Sequence, residues 1–114
     1  MENGSTRLAV AALVLAVATL ILAGSLRAGA PPSHADARRV LVSAGCAKCH
    51  DSVISKESPG ALAVYDLQEA RWTAQMSDEQ LPKLLGRLKS APARDRELVR
   101  AFVDAELQRR RAGN

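Results

Sequence analysis

Aromatic side chains are scarce in this sequence: 114 residues hold one tryptophan, one tyrosine and one phenylalanine, at Trp72, Tyr65 and Phe102. Cysteine, methionine and histidine are nearly as rare, with two of each. A small domain with so few large side chains is marginal on its own and commonly leans on a staple or a bound cofactor. A disulfide framework is excluded as that staple, because a bridge between Cys46 and Cys49 would close a tiny loop and stabilise little. No stretch alternates apolar and polar residues as a half-buried strand does, and no internal repeat is present, which leaves an all-helical fold. A strong charge of one sign is also lacking, since the net charge of +4 is spread along the chain. The one basic run, Arg109-Arg110-Arg111, reads as a solvated helix end placed favourably for the helix dipole. Nothing else supports nucleic-acid binding. No group of side chains reads as a general acid, base or nucleophile, so the chain is not expected to be an enzyme by itself.

One long apolar run is present. Leu8 to Leu26 reads LAVAALVLAVATLILAGSL, uncharged, with Thr19 and Ser25 as its hydroxyls and Arg7 and Arg27 at its ends. Roughly 20 apolar residues in a helix span a bilayer's hydrocarbon core, so the run is long enough for an uncleaved transmembrane anchor. A secretory signal has a shorter apolar region, about 7–15 residues, before a small-residue cleavage site. Ser33-His34-Ala35 is such a site; Ala28-Gly29-Ala30 is another, spoiled by Pro31. The first outcome is a single-pass protein of a bacterial inner membrane with its folded part facing the periplasm. The alternative is a soluble periplasmic protein cleaved near Ala35. The positive-inside rule pulls weakly the other way, because Arg27, Arg38 and Arg39 follow the run. The expected organisation is an anchor over residues 1–27, a Pro/Gly/Ala linker over 28–35 and a folded domain over 36–114.

Within that domain Asp36 is placed to cap a helix whose apolar face is Ala37, Val40, Leu41 and Ala44, with Gly45 loosening its end. Ser58-Pro59-Gly60 signals a turn. Asp66 with Glu69 forms a capping box ahead of a helix over LQEARWTAQ, and Ser77 with Gln80 forms a second. Leu81, Leu84, Leu85 and Leu88 then follow at helical spacing, with Pro82 delaying the regular helix by a turn. Ser90-Ala91-Pro92 breaks the chain before a last helix that carries Leu98, Val99, Phe102, Val103 and Leu107 on one face.

The chemistry is concentrated in Cys46-Ala47-Lys48-Cys49-His50, which holds both cysteines and one of the two histidines. A thioredoxin-type dithiol would need its first cysteine at a helix N-terminus after a strand, yet here a helix precedes it. A structural zinc site needs four ligands; the motif offers three, two of them adjacent, and His34 lies in the linker. The third chemistry uses every residue. Cys-x-x-Cys-His is the attachment signature of c-type haem, in which two thiols add to the porphyrin's vinyl groups and the histidine meets the iron. The apolar run delivers those thiols to the oxidising side of a membrane, as the attachment requires.

With its short helix before the motif, a proline-containing loop, a later methionine and a terminal amphipathic helix, the chain resembles the small monohaem cytochrome c family over about residues 37–110. The motif is the specific part of that likeness. The resemblance implies a cytochrome c-like domain around one covalent haem c, with thioethers at Cys46 and Cys49 and His50 as the proximal iron ligand. It implies a methionine as the distal ligand, and Met76 is the candidate, since Met1 precedes the anchor. Met76 falls 26 positions after His50, short for the family, and the alternative is a core filler. The loop at Pro59 either carries the carbonyl that orients the haem histidine or is a plain turn. Tyr65 and Trp72 either reach a haem propionate or are ordinary core residues. Val40, Leu41, Leu85, Leu88, Phe102 and Val103 are expected to jacket the haem. The implied function is electron transfer with membrane or periplasmic redox proteins as partners. The alternatives are a haem-based sensor or gas-binding protein with an open distal site, and a fixed haem subunit of a larger membrane complex.

Overall fold

The computed structural model describes residues 29–113. Among the described residues there are five helices: α1 (His34–Ser43), α2 (Ala47–His50), α3 (Pro59–Val64), α4 (Lys83–Arg87) and α5 (Ala93–Ala112).

The expected fold class, a transmembrane helix followed by a helical domain, is corrected here. Among the described residues no helix is long and apolar enough to cross a membrane. The 20-residue α5 has the length but not the composition, carrying Arg94, Asp95, Arg96, Glu97 and Arg100 within its first turns. The apolar run at 8–26, on which the anchor rested, lies outside the described residues. What the described residues form is a small helical unit without strands.

Helix α1 starts three residues earlier than expected. Ser33, not Asp36, is its N-cap: the Ser33 hydroxyl accepts from the Asp36 amide at 3.1 Å, and the Asp36 carboxylate accepts from the Ser33 amide at 2.9 Å. This reciprocal box satisfies two orphan amide donors and makes His34 the first helical residue. At the other end Gly45 has φ +89°. Its amide bonds to the Val42 carbonyl at 3.1 Å and the Cys46 amide to the Leu41 carbonyl at 3.0 Å, the paired bonds of a Schellman cap. Ala37, Val40 and Leu41 are buried on the face that packs against α5.

The expected helix over 67–75 is absent; the segment is a chain of turns. Asp66 spends its carboxylate on the amides of Ser52 (3.1 Å) and Gln68 (3.0 Å), so it forms no box with Glu69. The second box does form, with Ser77 and Gln80 bonded reciprocally at 2.9 and 3.1 Å. As expected, turns persist until Pro82 and α4 begins at Lys83. Leu81, Leu84 and Leu88 are buried there, against Val99, Phe102 and Val103 of α5 in one core that also holds Tyr65, Leu67, Trp72 and Met76.

Candidate functional site

The Schellman cap ends α1 and hands the chain directly to Cys46, the N-cap of the single turn α2. Amide bonds from His50 to the Cys46 carbonyl (3.0 Å) and from Cys49 to the same carbonyl (3.3 Å) close that turn. Residues at i, i+3 and i+4 of a helical turn share a face. Cys46, Cys49 and His50 accordingly line one cavity, while Ala47 is buried on the opposite side. The cavity has a volume of about 630 Å³, within the range of about 300–1,000 Å³ typical of cofactor sites. Ala44, Ala61, Val64, Tyr65, Met76 and Leu84 form its apolar wall, and Gln80, Lys83 and Arg87 its polar side.

The His50 ring is oriented from behind. Its Nδ1 lies 3.2 Å from the Tyr65 carbonyl oxygen. A carbonyl only accepts, so Nδ1 is the donor here, which makes Nε2 the nitrogen that would ligate a metal. The Tyr65 ring stacks flat on the imidazole, centroids 3.7 Å apart and planes 6° from parallel. The Tyr65 segment reaches this position because the chain folds back on the motif. The Leu67 amide donates to the His50 carbonyl at 2.7 Å. Buried Asp51 receives the Gln68 amide nitrogen on both carboxylate oxygens, at 2.9 and 3.0 Å, and also accepts from the Val53 amide at 2.9 Å. Ser55 adds a hydroxyl donated to the Ala47 and Lys48 carbonyls. Pro59 is not the source of the orienting carbonyl: it starts α3, and the role falls to Tyr65.

Burial pushes the Cys46 thiol up, and a hydrogen bond with the Tyr65 hydroxyl only partly opposes this. A redox dithiol depends on a depressed thiol, so this microenvironment does not suit one. Burial also raises the Tyr65 phenol, which stays protonated and able to donate. Among the described residues no group of three or more His, Cys, Asp or Glu is placed to hold a metal ion by itself.

Met76 is 4% exposed and lines the same cavity as His50. Trp72 does not line it. Its Nε1–H donates to the His34 carbonyl at 3.0 Å, and its ring packs on Phe102 with centroids 5.5 Å apart. The expected jacket is also displaced: Val40, Leu41, Leu88, Phe102 and Val103 are buried in the core behind the site, with Leu85 packed against it, and none lines the cavity. Gln80, Lys83, Leu84 and Arg87, which do, follow the i, i+3, i+4, i+7 spacing of one helical face. That face is mostly polar, so hydrophobic periodicity does not mark it beside the leucine stripe.

The site residues fit a haem. Two thiols, an imidazole, a thioether and two cations line one cofactor-sized cavity, a set that would hold a covalent haem and pair its carboxylates. No protein-family model, curated protein or solved structure matches the chain.

Proposed function

We propose that this chain is a periplasmic electron-transfer protein with one covalently bound c-type haem, exchanging single electrons with membrane or periplasmic redox proteins. The observation that supports this most strongly is one cavity bounded at once by Cys46, Cys49, His50 and Met76. When bound, the haem iron supplies a reversible one-electron couple. The chain's residues do the rest. Cys46 and Cys49 would tether the group by thioethers, and His50 would ligate through Nε2, its ring fixed by the Tyr65 carbonyl. Met76, in the wall of the same cavity, would offer the iron a soft thioether, a ligand that favours the ferrous state and raises the potential. Lys83 and Arg87 would pair with its carboxylates, and Ala61, Val64 and Leu84 would keep water from the ring.

The test is an absorption spectrum of the purified protein, oxidised and reduced, with and without carbon monoxide. A closed His50/Met76 iron gives a weak far-red charge-transfer band when oxidised and resists carbon monoxide when reduced. A native protein that binds carbon monoxide readily and lacks the band has an open distal site, and the electron-carrier reading then gives way to a gas-binding one.

A further inference from the structure

We infer that Arg110, on the C-terminal helix, is the positioning residue that holds Met76 at the distal side; this rests on the reading of Met76 as an iron ligand. The turn that carries Met76 belongs to the irregular stretch before α4, where carbonyl groups have no helical partners. One guanidinium fills that deficit. Arg110 Nη1 donates to the Met76 carbonyl at 2.7 Å and to Asp78 Oδ1 at 2.9 Å, and Nη2 donates to the Thr73 carbonyl at 2.7 Å. The Thr73 carbonyl also accepts the Met76 amide at 3.0 Å, so both ends of the turn are gripped by one planar fork. The Arg110 side chain is only 17% exposed.

The fork is itself anchored. Arg110 Nε lies 3.6 Å from Glu106 Oε1, and Glu106, 5% exposed, accepts from Arg109 at 2.8 Å. Glu106 also accepts from the Thr73 hydroxyl at 3.1 Å, and that hydroxyl lies 2.9 Å from His34 Nε2. The basic run read from sequence as a solvated helix end therefore contains one arginine turned inward onto the loop of the distal residue. A thioether bound to iron competes continuously with water and exogenous ligands, and the bond survives only if the loop that carries it stays closed. Local opening is governed by the few contacts holding the segment. Here three of those contacts come from Arg110, beside the Thr73–Glu106 bond and the Ser77–Gln80 box.

The experiment uses the haem-loaded full chain and compares wild type with Arg110→Gln, Arg110→Lys, Met76→Ala and the exposed control Arg111→Gln. Carbon monoxide affinity of the reduced protein, midpoint potential and amide exchange over residues 73–78 are measured. Losing charge-assisted hydrogen bonds to the loop should raise carbon monoxide affinity and amide exchange by about tenfold or more in Arg110→Gln, with a lowered potential. Arg110→Lys keeps the charge, and so folds even where the glutamine variant does not, but cannot span three acceptors; it should fall between. Arg111→Gln should match wild type. If the Arg110 variants lose thermal stability while carbon monoxide affinity and potential stay at wild-type values, the inference is overturned and Met76 ligation stands. If Met76→Ala leaves the ligand spectrum unchanged, the ligation reading itself is overturned, and this inference with it.

Discussion

His50 illustrates how a single proton sets the chemistry of a site. Its Nδ1–H is committed to the Tyr65 carbonyl at 3.2 Å, so Nε2 is the nitrogen that would meet a metal. Met76 is the residue on which carrier and gas-binding behaviour divide. Truncation of a buried methionine costs about 2–5 kcal/mol of stability whatever its role, so melting alone does not discriminate. Met76→Ala should keep its haem and both thioethers yet show a lower midpoint potential and new carbon monoxide binding, checked by redox titration and difference spectra. At this scale Cys46, Cys49 and His50 were legible because i, i+3, i+4 on one turn is a local property. The Tyr65 carbonyl was not, because it reaches His50 through a fold-back fixed by Asp51, Asp66 and Gln68 across 15 positions of sequence. Arg110 was hidden for the same reason, its partners lying 32 to 37 positions away.

Among the elements, α1 matters most to the site because its two caps decide where the motif begins. Gly45 has φ +89° with nothing within 4 Å of where a Cβ would sit, so a side chain there meets backbone strain and not a clash. Gly45→Ala should destabilise by about 1–2 kcal/mol, the cost of a left-handed conformation for an L-residue. Urea unfolding of the haem-loaded protein would measure it. Ser33→Ala removes one side of the capping box and should cost about 1 kcal/mol by the same assay. The predicted helix over 67–75 failed where two rules compete for one carboxylate. The sequence pattern of Asp66 and Glu69 matches a box, but Asp66 turns to Ser52 and Gln68 instead. The Ser77–Gln80 box, with no such rival, formed as its spacing implied.

At the scale of the whole molecule, acid stability should follow two groups in the cluster behind the Met76 loop. Burial lowers the pKa of His34 from 6.5; Glu106 opposes the shift, and Arg71, Arg109 and Arg38 add to it. The folded state then binds fewer protons than the unfolded one just below that value, so stability is lost as pH falls under 6.5. Glu106 is held below its ordinary 4.5, first by the hydrogen bond from Arg109. Its contribution is present above 4.5 and disappears as pH falls through the depressed value. Unfolding of the haem-loaded protein at about pH 7.5 and about pH 5.5 should show the first loss, and His34→Gln should flatten it. With so small a core, the proposed haem would be central to this balance. The most direct measurement is therefore the intact mass of the denatured protein, produced in an oxidising compartment with haem-attachment machinery, together with alkylation of its thiols. The account predicts a chain heavier by one haem, with neither Cys46 nor Cys49 alkylated. A chain of apoprotein mass, with both thiols free to react or joined to each other, would contradict it.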